Sequence, residues 1–355
     1  MNDAPALDFH AQMLLDQFRE LKPQLEKLEK EIPQLLQKYL DEAGLVVAAL
    51  EHRIKSESSL AGKLLRKGGK YKDITDITDL IGFRVITFYI DDVDKVASLL
   101  ERLFEIDWEN SIDKRKAHEI DSFGYLSLHY ICRSKEQKGL RFEVQMRTVL
   151  QHAWANMNHD TGYKTEVEVP TVYLRNMSRL AGMLELVDDE FSRIRRELAE
   201  YRRQVQQLVA SGNLGEVPLD GDSFRSYLSI HPFRGLSRRI VSINQAEIQE
   251  VDLSNFLPLL KALGFRTLGD IDKLTKEYDD AAYQIACFQM GLTDLDIISS
   301  SLPLQNLCMA FILKNGGGRA GLKLMLDTLN GPSPSNESMA ALLASQCQDL
   351  PFMNQ

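Results

Sequence analysis

The chain has 355 residues, 44% of them apolar, which makes about two packed domains of ordinary size and excludes a disordered polypeptide. Its 42 basic and 51 acidic residues leave a formal charge of −9, excluding a global positive field for long nucleic acids and confining any polyanion site to a local basic patch. Four cysteines far apart, with no Cys-x-x-Cys pair, argue against a structural zinc site and a disulfide framework, and an amino terminus with no signal-peptide pattern and no apolar run of about 18 residues predicts a cytoplasmic protein without membrane association.

From Phe9 to Leu50, apolar residues recur at helical spacing (Leu14, Phe18, Leu21, Leu25, Leu28, Ile32, Leu35, Leu36, Tyr39), so residues 1–50 are predicted to form a helical arm, with Pro23 and Pro33 starting turns or breaking the run. RIKSESSLAGKLLRKGGKYK reads as helical up to Gly68-Gly69, and residues 51–73 carry seven Lys or Arg against three Asp or Glu. Three strand-like stretches follow: LIGFRVITFYI after Asp79, YLSLHYICR after Gly124 and LRFEVQMR after Gly139. A helical DDVDKVASLLERLF lies between the first two, so the expectation is an α+β domain over residues 51–210, a mixed sheet flanked by helices. TVLQHAWANMNHD reads as a helix capped by Thr148, and residues 174–210 as a long helix with Met177, Leu180, Leu184, Val187, Phe191, Ile194, Leu198, Tyr201, Val205 and Leu208 on one face. SGNLGEVPLDGD, residues 211–222, interrupts all periodicity and is predicted as a linker. Residues 223–355 read as a mainly α-helical domain of unknown role, in which NGGGRAG is a plain turn and NGPSPSNES a loose linker.

Period-two alternation in the third strand puts Arg141, Glu143, Gln145 and Arg147 on one face and Phe142, Val144 and Met146 on the other. The same count in the second strand groups Tyr125, Ser127 and His129. Each strand alone could simply have a solvated outer face. Two such faces beside a basic segment suit nucleotide chemistry, because Lys and Arg bind phosphate through charge-assisted hydrogen bonds, aromatic rings stack on bases, and carboxylates such as Asp79 and Glu143 hold Mg²⁺. Asp79 could equally cap a turn, and Glu143 could pair with Arg147.

The order and spacing of the whole set are more specific. RxKSxxSxxxK from Arg53, DLIGFRVI from Asp79, GYLSLH from Gly124 and FEVQMRT from Phe142 resemble, in sequence and in order, the synthetase domain of the RelA/SpoT family. The helix WANMNHDTGYK, with Trp154, Ala155, His159, Tyr163 and Lys164, is similar to that of the short, synthetase-only members, and the resemblance covers about residues 45–205. It implies a nucleotidyltransferase-like sheet domain and an ATP-dependent pyrophosphokinase that moves the β,γ-diphosphate of ATP to the 3′-hydroxyl of GDP or GTP, making (p)ppGpp. It further implies that Arg53 and Arg84 sandwich the adenine, that Lys55, Ser59 and Lys63 bind the ATP phosphates, and that Asp79 is a Mg²⁺ ligand. Glu143 is the second carboxylate, either metal ligand or base. Tyr125 is the ring on which the acceptor guanine stacks, His129 lies close to the acceptor, and Ser127, Gln145 and Arg147 support the site.

The acceptor stretch, KRKAHEIDSFGYLSLH, departs from the family's usual Pro-Lys-x-Asn-like turn, and Lys114, Arg115 and Lys116 are either candidates for the missing phosphate contacts or an exposed basic turn. A changed acceptor pocket leaves an alternative: a toxic relative that pyrophosphorylates the 3′ end of tRNA or an adenine nucleotide, with residues 223–355 as neutraliser or sensor. A homo-oligomer formed through helices is also expected. Hydrolase activity is not, since His159-Asp160 sits inside the synthetase's own helix and there is no room before Arg53 for a metal-binding hydrolase domain.

Overall fold

A computed structural model describes residues 8–113, 115, 127–133, 140–163, 171–291 and 296–354. The chain divides into two compact units, Met1–Arg196 and Glu197–Gln355.

The first unit opens with helix α1 (Phe9–Glu42), whose N-terminus is capped by the Asp8 carboxylate accepting from Ala11 N at 2.7 Å. Contrary to expectation, Pro23 and Pro33 lie inside α1 and do not end it. Each proline costs roughly 3 kcal/mol in a helix interior. Leu14, Phe18, Leu25, Leu28, Ile32, Leu36 and Leu40 are all buried, however, and burying a large side chain is worth about 1.5–3 kcal/mol, so packing outweighs the breaks.

Residues 47–54, expected as part of a helical run, are instead strand β1 (Val47–Ile54), and helix α2 (Glu57–Lys67) starts only after it. The reason is tertiary: β1 finds its hydrogen-bond partners in an antiparallel ladder with β2 (Ile81–Thr87), from Val47 opposite Thr87 to Ile54 opposite Ile81. Helix α3 (Ile90–Leu103) follows, then the short strands β3 (Glu105–Ile106) and β4 (Ile112–Asp113), then β5 (Leu128–Arg133) and β6 (Arg141–Thr148). The sheet order is β1-β2-β6-β5-β3, with β4 also on β5, and it is mixed: β2 and β6 run parallel and the other pairs antiparallel. The α+β expectation holds. One face of the sheet is apolar, with Phe142 edge-on to both Phe83 (5.5 Å) and Phe104 (5.1 Å), and it shares a core with α1, α2 and α3.

Helix α4 (Val149–Tyr163) begins as expected at Thr148: Gln151 N donates to Thr148 Oγ1 (3.1 Å), and Thr148 N donates back to Gln151 Oε1 (2.9 Å), a reciprocal capping box. Helix α5 (Thr171–Ser211) confirms the long helix, and the face assigned to it only toward its C-terminal end, where Val205 is buried and Tyr201 and Leu208 pack against the same core. Leu180, Val187, Phe191, Ile194 and Leu198 are exposed, while Ala181, Asp188 and Ser192 are buried. Polar contacts set this rotation. Asp188 Oδ2 accepts from Thr148 Oγ1 at 2.6 Å, and Arg195 pairs with Asp92 while its guanidinium lies 4.3 Å from the centre of the Tyr89 ring.

The second unit is mainly helical: α6 (Gly221–Ser229), α7 (Arg234–Asn244), α8 (Leu257–Ala262), α9 (Leu268–Gly291), α10 (Leu302–Lys314), α11 (Gly318–Asn330) and α12 (Pro334–Cys347). A two-stranded parallel ladder joins β7 (Glu247–Gln249) to β8 (Ile297–Ser299). In the stretch 211–222, Leu214, Val217 and Leu219 are buried in this unit's core, and Asp220 caps α6. NGPSPSNES is not a loose linker. Ser333 caps α12, Pro334 occupies its first turn, and the buried Asn336 donates to Asp327 Oδ1 (2.7 Å) and Gly331 O (2.9 Å). Among the described residues no helix is long and apolar enough to cross a membrane.

Candidate active site

The polar face of the sheet follows from strand register. Gly82 on β2 lies between Arg53 on β1 and Glu143 on β6, and one step along, Arg84 lies between Glu51 and Gln145. Alternation then turns Glu51, Arg53, Arg84, Glu143 and Gln145 the same way. They line a cleft of about 280 Å³, joined by Lys55, Ser56, Ser59 and Asp79 from the segments that flank β1 and β2. A Cβ built on Gly82 would have nothing within 4 Å, so this glycine keeps the floor of the cleft clear between Arg53 and Glu143.

Asp79, just before β2, is held between two ammonium groups: Lys55 Nζ donates to Oδ2 at 2.6 Å and Lys63 Nζ to Oδ1 at 2.7 Å. Burial by itself would raise the Asp79 pKa, but the hydrogen bonds and charges of the two lysines outweigh it and hold the carboxyl below the ordinary range. Lys63 reaches this cluster from α2, one turn after Ser59. Ser59 itself accepts a hydrogen bond from the Ser56 hydroxyl at 2.9 Å.

Glu143 is the centre of a second cluster. His129 Nδ1 lies 2.7 Å from Oε1, and Gln145 Nε2 donates to Oε2 at 2.9 Å. A carboxylate only accepts, so Nδ1 carries a proton, and Nε2 on the other side of the ring lies 2.6 Å from Ser127 Oγ. Burial pushes the Glu143 pKa up, the His129 hydrogen bond and charge push it down more strongly, and the nearby Asp79 charge pushes it up again, for a net lowering. Gln145 also accepts from Arg84 Nε (3.3 Å), whose Nη1 donates to Glu51 Oε2 (2.6 Å), so a continuous polar chain runs from Glu51 to Ser127.

The Asp79 charge acts on Glu143, and both carboxylates line the cleft, so they are the candidates there for holding a hard cation. Among the described residues there is no group of three or more His, Cys, Asp or Glu that could hold a metal, so further ligands would have to be water or phosphate oxygens, the usual situation of protein-bound Mg²⁺. The donor set therefore fits Mg²⁺ delivered with a phosphorylated substrate.

Of the residues singled out in the sequence, Arg53, Lys55, Ser59, Asp79, Arg84, Glu143 and Gln145 line the cleft, Lys63 is tied to it through Asp79, and Ser127 and His129 through Glu143. Arg147 is buried at the end of β6, where its charge acts on His152. Tyr125, Lys114, Lys116 and Lys164 lie outside the described residues. Glu51 and Gly82 were missed. The period-two spacing Glu51, Arg53, Lys55 carried the signal for Glu51, hidden by reading this stretch as helix.

The region found in RelA / SpoT proteins matches residues 52–168. Two proteins of Bacillus subtilis (strain 168) are similar in sequence. GTP pyrophosphokinase YjbM is 25% identical over 151 residues, 42% of this chain and 72% of that protein. GTP pyrophosphokinase YwaC is 28% identical over 163 residues, 42% of this chain and 75% of that protein. Among solved structures, small alarmone synthetase 1 from Bacillus subtilis bound to its product pppGpp is 24% identical with a TM-score of 0.44, covering 54% of this chain and all of that one.

Proposed function

We propose, from the match of residues 52–168 to the region found in RelA / SpoT proteins and the similarity to two GTP pyrophosphokinases, that the chain is a short RelA/SpoT-like synthetase, a pyrophosphotransferase that moves the β,γ-diphosphate of ATP to the 3′-hydroxyl of GDP or GTP. The observation that carries this reading is the juxtaposition, on one cleft, of an aspartate clamped by two lysines and a glutamate paired with a histidine. Lys55 and Lys63 bind the triphosphate, giving up part of their hold on Asp79 as they do so, and Ser59 adds a hydroxyl at the start of α2. Arg53 and Arg84 hold the adenine between their guanidinium planes, and the bonds from Arg84 to Glu51 and Gln145 set its orientation. Mg²⁺ held by Asp79 and Glu143 would neutralise charge on the phosphate oxygens.

The acceptor's 3′-oxygen forms a bond to the β-phosphorus, the bond from that phosphorus to the α,β-bridging oxygen breaks, and AMP leaves with the electron pair. The 3′-proton passes to Glu143, which the His129–Ser127 pair orients. With little covalent work for the protein, catalysis rests on alignment and charge compensation.

The test is incubation of the full chain with Mg²⁺ and γ-labelled ATP plus GDP, GTP, ATP or deacylated tRNA, each separately. Label is expected on GDP and GTP. Label on tRNA or an adenine nucleotide alone would move the assignment to the alternative acceptors, and label on none would sink the transferase reading.

A further inference from the structure

We propose that the second unit contains a binding site for a small phosphorylated anion, in a cavity bordered by α6, α7 and the chain around β7. The cavity measures about 830 Å³ and shares no residue with the cleft of the first unit. It is large enough for a mononucleotide or a short polyphosphate.

The argument starts from the arginines. Residues 197–355 contain eight. Among the described residues, five have partners: Arg202 with Asp222, Arg203 with Glu200, Arg239 with Asp279 and Asp280, Arg266 with the carbonyls of Lys261 and Phe265, and Arg319 with Glu337. For the other three, Arg225, Arg234 and Arg238, the described residues supply neither a hydrogen bond nor an ion pair, and all three line this one cavity. None of the three is tied by a hydrogen bond or ion pair among the described residues, and only Arg225 has a carboxylate, Asp252, acting on it, so the guanidinium groups repel one another and an anionic ligand would relieve that repulsion.

The cavity's own carboxylates do not remove the mismatch. Asp252 is committed to the turn that follows it, accepting from Ser254 N at 2.9 Å, and that bond together with the Arg225 charge keeps it ionised. The lining thus carries two carboxylates, Glu250 and the ionised Asp252, against three arginines, and keeps a net positive charge. His231 joins the wall from a left-handed backbone conformation (φ 51°) that few side chains other than glycine adopt, the kind of local strain that proteins keep at binding sites. Planar guanidinium groups match phosphate oxygens two at a time, so the ligand class is a di- or triphosphate, either free or as part of a nucleotide.

The test uses the full chain carrying Lys55→Ala and Lys63→Ala, which removes phosphate binding by the first cleft, and titrates inorganic tripolyphosphate and, separately, ATP by calorimetry. Saturable binding of at least one is expected, and adding Arg234→Gln with Arg238→Gln should weaken it by at least about tenfold, while the Lys pair at the same positions, which keeps the charge and loses the paired donors, restores only part of it. Since the three side chains are exposed, the melting temperature should not change. Stronger binding of ATP than of tripolyphosphate would make the nucleotide the ligand, and equal binding the phosphate chain alone. The proposal is overturned by the absence of saturable binding, by binding indifferent to the Arg substitutions, or by a single-stranded RNA oligomer that displaces tripolyphosphate and binds far more tightly.

Discussion

At the scale of single residues, the two carboxylates of the cleft differ in what surrounds them. Asp79 is neutralised by lysines that a triphosphate would attract, so its charge becomes available as substrate arrives. Glu143 is held by His129 on one oxygen and by Gln145 on the other and keeps its orientation. Asp79→Asn and Glu143→Gln are isosteric and should each lower kcat by at least about a hundredfold with an unchanged circular-dichroism spectrum, because each removes a charge that the transferring phosphates need. Near-normal turnover in either variant would contradict the assigned roles. Both carboxyl groups are held below their ordinary pKa in the folded chain, so their contribution to stability is present above the unfolded value and is lost as pH falls through the folded one.

At the scale of elements, the junction of β6, α4 and α5 turns on Thr148, whose hydroxyl caps α4 and donates to Asp188. Burial raises the Asp188 pKa, the Thr148 bond lowers it, and the Asp189 charge raises it further, leaving it pushed up to about 6 from 3.8. The folded state therefore holds this proton more tightly than the unfolded one. That stabilisation is fully present below about pH 4 and is lost as pH rises through about 6, so at neutral pH the ionised carboxylate costs on the order of 2–3 kcal/mol. Asp188→Asn keeps an acceptor for Thr148 and carries no charge. It should raise stability by about 1–3 kcal/mol at pH 7.5 and have no effect near pH 4, a difference read from urea melts at the two values. An equal effect at both would rule out ionisation as the cause.

At the scale of the whole molecule there are two cores, one in each unit, and α1 belongs to the first of them. Phe18 is fully buried there, and Phe18→Ala should destabilise the first unit by about 3–5 kcal/mol in chemical denaturation, whereas a loose arm would lose less than about 1. Local pattern alone settled the alternation of β6, the capping of α4, the existence of α5 and the order of the motifs that line the cleft. Those signals are local: side chains two or four positions apart, or a capping residue three before its partner, decide them without reference to the rest of the chain. Only the tertiary structure decided the rest. β1 is a strand because β2 offers it a ladder, the prolines stay inside α1 because the sheet face beneath rewards continuity, and α5 turns its apolar stripe outward from Leu180 to Leu198 because Asp188 and Arg195 are tied elsewhere. The cleft itself is of the second kind. Arg53, Gly82 and Glu143 are far apart along the chain and become neighbours through cross-strand pairing, which depends on partners that no local window contains.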